Sequence, residues 1–201
     1  MKHNRPTVQV TDIAPGIAGI TPPIDLTFNY SNSDTQAVYT GTIDLPPCTP
    51  PRYGTEDYTL TVTAKDKKDT PGEDTGTDTF KVNALVAIEV TNVPFGSVTP
   101  GSYKDKITST VTNKGNAEIE FVDAGDNGYN NDLNDGIMWS AMTSGVTNTI
   151  PASNIVTDWN KQGKITCGNT GTPKFTLTVP LGTPPGLYSG MITFTPSEVL
   201  A

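Results

Sequence analysis

Apolar side chains in this chain return at every second position, in short runs that proline or glycine then stops. Ile24, Leu26, Phe28 and Tyr30 alternate with Asp25, Thr27 and Asn29. Tyr58, Leu60, Val62 and Ala64 alternate with threonines, as do Phe175, Leu177 and Val179. Successive side chains of a strand point to opposite faces of a sheet, so this period marks strands buried on one side only. No stretch of a dozen residues carries apolar residues at helical spacing. Threonine supplies about a sixth of the chain, a bias suited to strand faces that meet water. The fold class expected is all-β.

A length of 201 residues exceeds what one sandwich of about 100 residues needs and suits two. In the first half, strands are expected at 7–13, 24–30, 37–45 and 58–64, with an irregular crossing at 46–51, where prolines cannot donate to a ladder. The segment 65–78 is charged enough to read as a solvated connection, after which Phe80 and Val82 point inward. The stretch 85–121 reads as two strands, the first carrying Val86, Ile88 and Val90, joined by a turn at Pro94, Gly96, Pro100 and Gly101, then a third strand. Only Asn83 and Ala84 separate the halves, too few residues for a flexible coupling. Further on, 123–136 has no apolar period, and Trp139, Met142, Ile150, Ile155 and Trp159 mark short strands or a helical turn around a core.

Three stretches carry a resemblance. YTLTVTAKDKKDTPGEDTGTDTFKV (58–82) resembles the last two strands of the immunoglobulin-like repeats of prokaryotic surface proteins. VPFGSVTPGSYKDKITSTVTNKGNAEIEF (93–121) resembles the F-G-x-V-x-P-G and N-x-G-N pattern that opens immunoglobulin-like domains of archaeal and bacterial cell-surface proteins. VPLGTPPGLYSGMITFTP (179–196) resembles their closing hairpin, P-x-G-x-Y-x-G-x-(I/V)-x-F. The resemblance implies two tandem immunoglobulin-like β-sandwich domains, 1–84 and 85–201, the second with an acidic, Asx-rich loop insertion, in a prokaryotic cell-surface protein, archaeal ahead of bacterial. It places Phe95 at a sandwich end, and Tyr188, Met191 or Ile192, and Phe194 in the core. Asn113, Gly115 and Asn116 form a turn in which glycine or asparagine takes positive φ cheaply.

The formal net charge of −8 sets up a field that repels phosphate backbones and anionic lipid, so no nucleic-acid partner is expected. No segment nears the roughly 20 consecutive apolar residues that cross a bilayer, and MKHNRP lacks the apolar stretch of a secretory signal. The chain is expected to be soluble and not itself membrane-spanning. Its single histidine, His3, lies at the start, whereas catalytic triads, HExxH sites and Cys–His pairs all need a placed imidazole. With no GxSxG, P-loop or dinucleotide-binding glycine motif either, the expectation is that the protein is not an enzyme and has no organic cofactor.

Among candidate sites, Asp123, Asp126, Asn130, Asp132, Asn134 and Asp135 crowd the hard oxygen donors that Ca²⁺ takes. Asn130, Asp132 and Asn134 mimic the first three ligands of an EF-hand loop. Asp135, however, stands where its glycine belongs, and Ala141 where its glutamate belongs. A solvated loop of turn-forming residues explains the same composition. Asp66, Asp69, Glu73, Asp74 and Asp78 read as a hairpin tip that keeps a sheet end soluble. Tyr129, Trp139 and Trp159 could form a sugar-stacking platform, against the simpler role of packing in a core. Cys48 and Cys167 are too few for a disulfide framework; one bridge between them and two unpaired thiols are the alternatives. The sequon Asn29-Tyr30-Ser31 permits a secreted setting.

The function expected is that of a non-catalytic, extracellular structural or adhesive module of a cell-surface protein. Its partners would be other cell-surface or matrix proteins, or glycans. Two alternatives stand beside it: a carbohydrate-binding module, and a filament subunit that self-assembles by β-strand addition.

Overall fold

The computed structural model describes residues 5–33, 36–66, 72–121, 137–145, 147–157 and 163–199. These residues are all-β. Their strands pair antiparallel, and no α-helix occurs among them. The chain divides into two compact units, Met1–Ala84 and Leu85–Ala201.

The first unit is a five-stranded sheet built from β1 (Thr7–Ala14), β2 (Ile24–Ser33), β3 (Gln36–Thr40), β4 (Tyr58–Lys65) and β5 (Glu73–Phe80), in the order β3-β2-β1-β4-β5. Val10 and Ile13 are both buried, although they stand three positions apart, a spacing that puts residues of a regular strand on opposite faces. A bulge between Val10 and Asp12 absorbs the extra residue: Val10 faces Val62 and Ile13 faces Leu60, so all four stay on one side. Thr11, the residue left over, brings its hydroxyl to that of Thr63 at 2.9 Å. Tyr58 is buried, stacks on Phe80 with ring centroids 5.2 Å apart, and donates its hydroxyl to Pro50 O at 2.9 Å. That bond ties down the 46–51 crossing, which is irregular as its prolines require. Ile17, Ile20 and Ile43, all from connections, pack on the same face.

Strand β5 begins at Glu73, inside the segment whose charge suggests a connection. Its ladder with β4 runs unbroken from Lys65↔Glu73 to Tyr58↔Phe80, while seven of its eight residues are exposed. An edge strand needs only backbone pairing on one side, and acidic side chains on it discourage another chain from pairing with the free edge.

The second unit gathers short ladders around one core. β6 (Ile88–Val90), β8 (Val111–Asn113) and β14 (Thr170–Gly171) form a sheet in the order β14-β8-β6. β7 (Tyr103–Thr108), β13 (Ile155–Thr157) and β15 (Lys174–Thr178) form another in the order β13-β15-β7. Three pairs complete the unit: β9 (Ile119–Glu120) with β17 (Ser197–Glu198), β10 (Ile137–Trp139) with β16 (Ile192–Phe194), and β11 (Met142–Ser144) with β12 (Asn148–Ile150). A 3-10 turn spans Ala152–Asn154. Val111, Ile119, Trp139, Ile155, Phe175 and Leu177, from five of these strands, share the core.

Two neighbouring corners carry the chain between the three-stranded sheets. Lys174 pairs with Thr108 on one side of the corners and Gly171 with Val111 on the other; between them Ser109 N–H donates to Pro173 O at 3.2 Å. Ser109 is buried and its hydroxyl donates to Thr91 O at 2.6 Å, so the polar group at the bend is satisfied. β7 carries a residue more than β15 between their paired positions, and Lys106 there has φ 57°, a left-handed conformation that no glycine marks in the sequence.

The stretch 85–121 departs from the sequence expectation in two ways. Pairing begins only at Ile88, so Val86 lies outside a strand. None of Asn113, Gly115 and Asn116 takes positive φ. Residues 85–87 instead lie against the 113–117 turn. Ala87 O accepts from Lys114 N at 2.8 Å and Gly115 N at 3.2 Å, and Asn116 Oδ1 accepts from Leu85 N at 2.6 Å. The carbonyl oxygen of Leu85 thereby comes within 1.9 Å of where a Cβ on Gly115 would sit. Glycine is needed here because it has no side chain, not for its φ.

Gly115→Ala is therefore expected to destabilise the protein by about 3 kcal/mol in urea unfolding, at the upper end of overpacking costs. Gly76→Ala, on the open face of β5 with no atom within 4 Å of the new Cβ, should stay within about 0.5 kcal/mol of the parent. Equal stabilities for the two variants would contradict the close approach.

Candidate functional site

The core of the second unit is open on one side. Met142, Ile150, Ile155, Leu177 and Val179 make the floor of a cleft of about 1080 Å³, at the upper end of the range that holds small organic ligands. One wall is β6 with the segment 91–98. The other is 183–192 with Phe194.

Each wall is fixed by local chemistry. Phe95, buried in the core, anchors the first wall, and Thr91 holds its start through Thr91 N–H to Thr110 O at 3.0 Å and Thr110 N–H to Thr91 Oγ1 at 2.8 Å. Beyond Thr91, residues 92–98 make no backbone hydrogen bond to any described residue. In the second wall Ser189 exchanges two backbone bonds with Thr143, at 2.9 and 3.1 Å. Ser140 N–H donates to Met191 O at 2.9 Å, and Ser140 Oγ accepts from Met191 N–H at 2.9 Å. A Cβ on Gly190 would sit 3.2 Å from Ala141 O, which gives the second glycine of the P-x-G-x-Y-x-G pattern its physical role. Of the core candidates on this hairpin, Tyr188, Ile192 and Phe194 pack against the core, while Met191 is exposed.

The chain holds 13 basic and 21 acidic residues, yet among the described residues no Asp, Glu, Lys, Arg, His or Cys lines the cleft. Its hydroxyls are largely engaged within the protein: Thr183 Oγ1 donates to Pro180 O at 2.7 Å and Tyr188 Oη to Pro184 O at 3.0 Å. The nearest shifted group is Glu89 on β6, on the solvent side. Lys114, 2.9 Å away, holds its carboxyl below the usual glutamate range, chiefly by a hydrogen bond and then by its charge. Because the folded-state value is lowered, any contribution of this exposed pair is present above that range and lost as pH falls through it.

Asp123, Asp126, Asn130, Asp132, Asn134 and Asp135 lie outside the described residues, as do Tyr129 and Trp159. Among the described residues no group of three or more His, Cys, Asp or Glu side chains is placed to hold a metal ion. Trp139 is a core residue: 3% exposed, it donates its indole N–H to Ala152 O at 2.6 Å. Neither Cys48 nor Cys167 is a free thiol. Glu73, Asp74 and Asp78 are spread along the exposed β5 strand.

Asn113 carries more than the turn role read from sequence. It is fully buried at the end of β8. Its Nδ2 donates to Ala117 O at 2.8 Å and Ile165 O at 2.9 Å, while Oδ1 accepts from Gly115 N–H at 2.9 Å. The side chain thus holds β8, and through it the β6 wall of the cleft. A turn-forming N-x-G-N run gives no sign that its first asparagine points inward. No protein-family model, curated protein or solved structure matches the chain.

Asn113→Ala removes three buried hydrogen bonds. Ile165 O keeps Ile119 N–H and Gly115 N–H keeps Ala87 O, so Ala117 O is the group that loses its donor outright, and the change is expected to cost about 3 kcal/mol. Asn113→Asp keeps the acceptor but removes the donors facing two carbonyl oxygens, which raises the new carboxyl's pKa above the usual range. Its deficit should therefore be larger at neutral pH than at about pH 4, near the ordinary carboxyl value. Urea unfolding at both pH values checks this. A deficit that does not change with pH would contradict the donor role.

Proposed function

We propose that this chain is a non-catalytic module of the extracellular surface, two immunoglobulin-like β-sandwich domains in tandem, with a structural or adhesive role exercised through the cleft of the second unit. The observation that carries this reading is the chemistry of the walls. Apart from the phenol of Tyr188 the described residues of the walls hold no titratable side chain, so among those residues the cleft can bind but lacks a pair of groups to move protons at ordinary pH. Two cysteines with no free thiol suit an oxidising compartment. The acidic charge and threonine-rich sequence suit a solvent-facing location. The partners proposed are other cell-surface or matrix proteins; a sugar platform loses support because the Trp139 ring is buried.

Antibody raised against the chain is expected to label intact, unpermeabilised cells of the source organism, and external protease should remove that labelling. Detection in the cytoplasmic fraction alone would overturn the reading.

A further inference from the structure

We propose that the cleft of the second unit is the seat for one β-strand donated by a protein partner, an extended, uncharged segment with apolar side chains at alternate positions. The inference rests on the binding role above and specifies the class of ligand.

Among the described residues both walls carry strand edges without a neighbour: β6 pairs with β8 along one edge and with no described strand along the other, and β16 pairs with no described strand but β10. Both strands line the cleft. Residues 92–98 extend the β6 wall, and none of their backbone groups bonds a described backbone group. An inserted strand supplies N–H and C=O groups along its whole length, as strand addition does at any open sheet edge. A hydrocarbon chain supplies none, so the walls favour a peptide over a lipid.

The floor sets the side-chain pattern. Ile150, Ile155, Leu177 and Val179 form an apolar bed, and a strand laid across it turns every second side chain inward. The charge pattern sets what the segment must lack. In a chain of net charge −8 no ionised group stands among the described residues that line the cleft, and a charge brought against them would lose hydration with no partner in return. The cleft, about 1080 Å³ and open on one side, has room for a segment of several residues. Leu187, 90% exposed, and Met191, 67% exposed, stand at the rim, ready to cover an inserted segment.

The test uses the full chain and an acetylated, amidated octapeptide of alternating valine and threonine. Parallel arms use the same peptide with two valines replaced by aspartate, and monopalmitoylglycerol. Deuterium exchange is followed by NMR at the amides of Val93, Phe95 and Val98. At saturation the octapeptide is expected to slow exchange at these amides at least tenfold. The aspartate peptide should bind at least tenfold more weakly. Leu187→Arg, an exposed position whose change leaves the core intact, should weaken octapeptide binding at least tenfold with no change in unfolding midpoint. Three results would each overturn the proposal: binding of monopalmitoylglycerol without the octapeptide, binding of neither, or amides at 93–98 already protected in the free protein. None of the three bears on surface labelling of cells, so failure here is distinct from failure of the surface-module reading.

Discussion

The buried carboxamide of Asn113 is the contact on which the second unit depends. It joins three parts of the chain that share no strand: the 113–117 turn, the carbonyl of Ile165, and the end of β8 itself. Ile165 in turn bridges to Ile119 through paired backbone bonds of 2.8 and 3.0 Å. A buried amide that uses both donors and its acceptor fixes one arrangement of these segments, since any slip would strand a polar group away from water. With the turn fixed, Leu85–Ala87 has a surface to bond to, Gly115 must lack a side chain, and β6 takes its place beside β8.

The same accounting of backbone groups separates the frame of the unit from its cleft. At the sheet corners every buried polar atom has a partner: Ser109 bonds Thr91 and Pro173, and Trp139 bonds Ala152. Along 92–98 no such bond is made. Phe95 packs into the core while the backbone around it faces the opening, so the wall is held by burial alone. Burial fixes position without supplying donors or acceptors. The cleft consequently presents unbonded backbone groups beside an apolar floor.

Where one side of a strand meets solvent, the sequence was legible. β4 and β15 show unbroken alternation because the extra residue of each bulge lies on the partner strand, β1 or β7, and the buried Tyr58, Phe175 and Leu177 fall where the period puts them. Alternation fails as a guide where the ladder is irregular. The bulge at Thr11 puts Val10 and Ile13 out of period yet on one face, and Lys106 bends β7 with no glycine to announce it. It fails also where pairing alone decides, since β5 has no apolar face for a pattern to reveal. The cleft was legible only in part. The P-x-G-x-Y-x-G run marked the second wall, but the gap between it and 92–98 arises from contacts about ninety residues apart in sequence. Asn113 and Gly115 were recognised as a turn by composition, while their burial and close approach depend on Leu85 and Ile165, which no local window contains.

The claim that Asn113 is a sealed structural tie is tested most directly by the exchange of its own side-chain protons, followed by NMR in deuterated buffer. The account predicts that the Nδ2 protons of Asn113 persist as long as the amide protons of Ile119 and Ile165, exchanging only when the unit unfolds. Loss of the Asn113 signals as fast as those of an exposed asparagine side chain, while the amides of Ile119 and Ile165 remain, would contradict it.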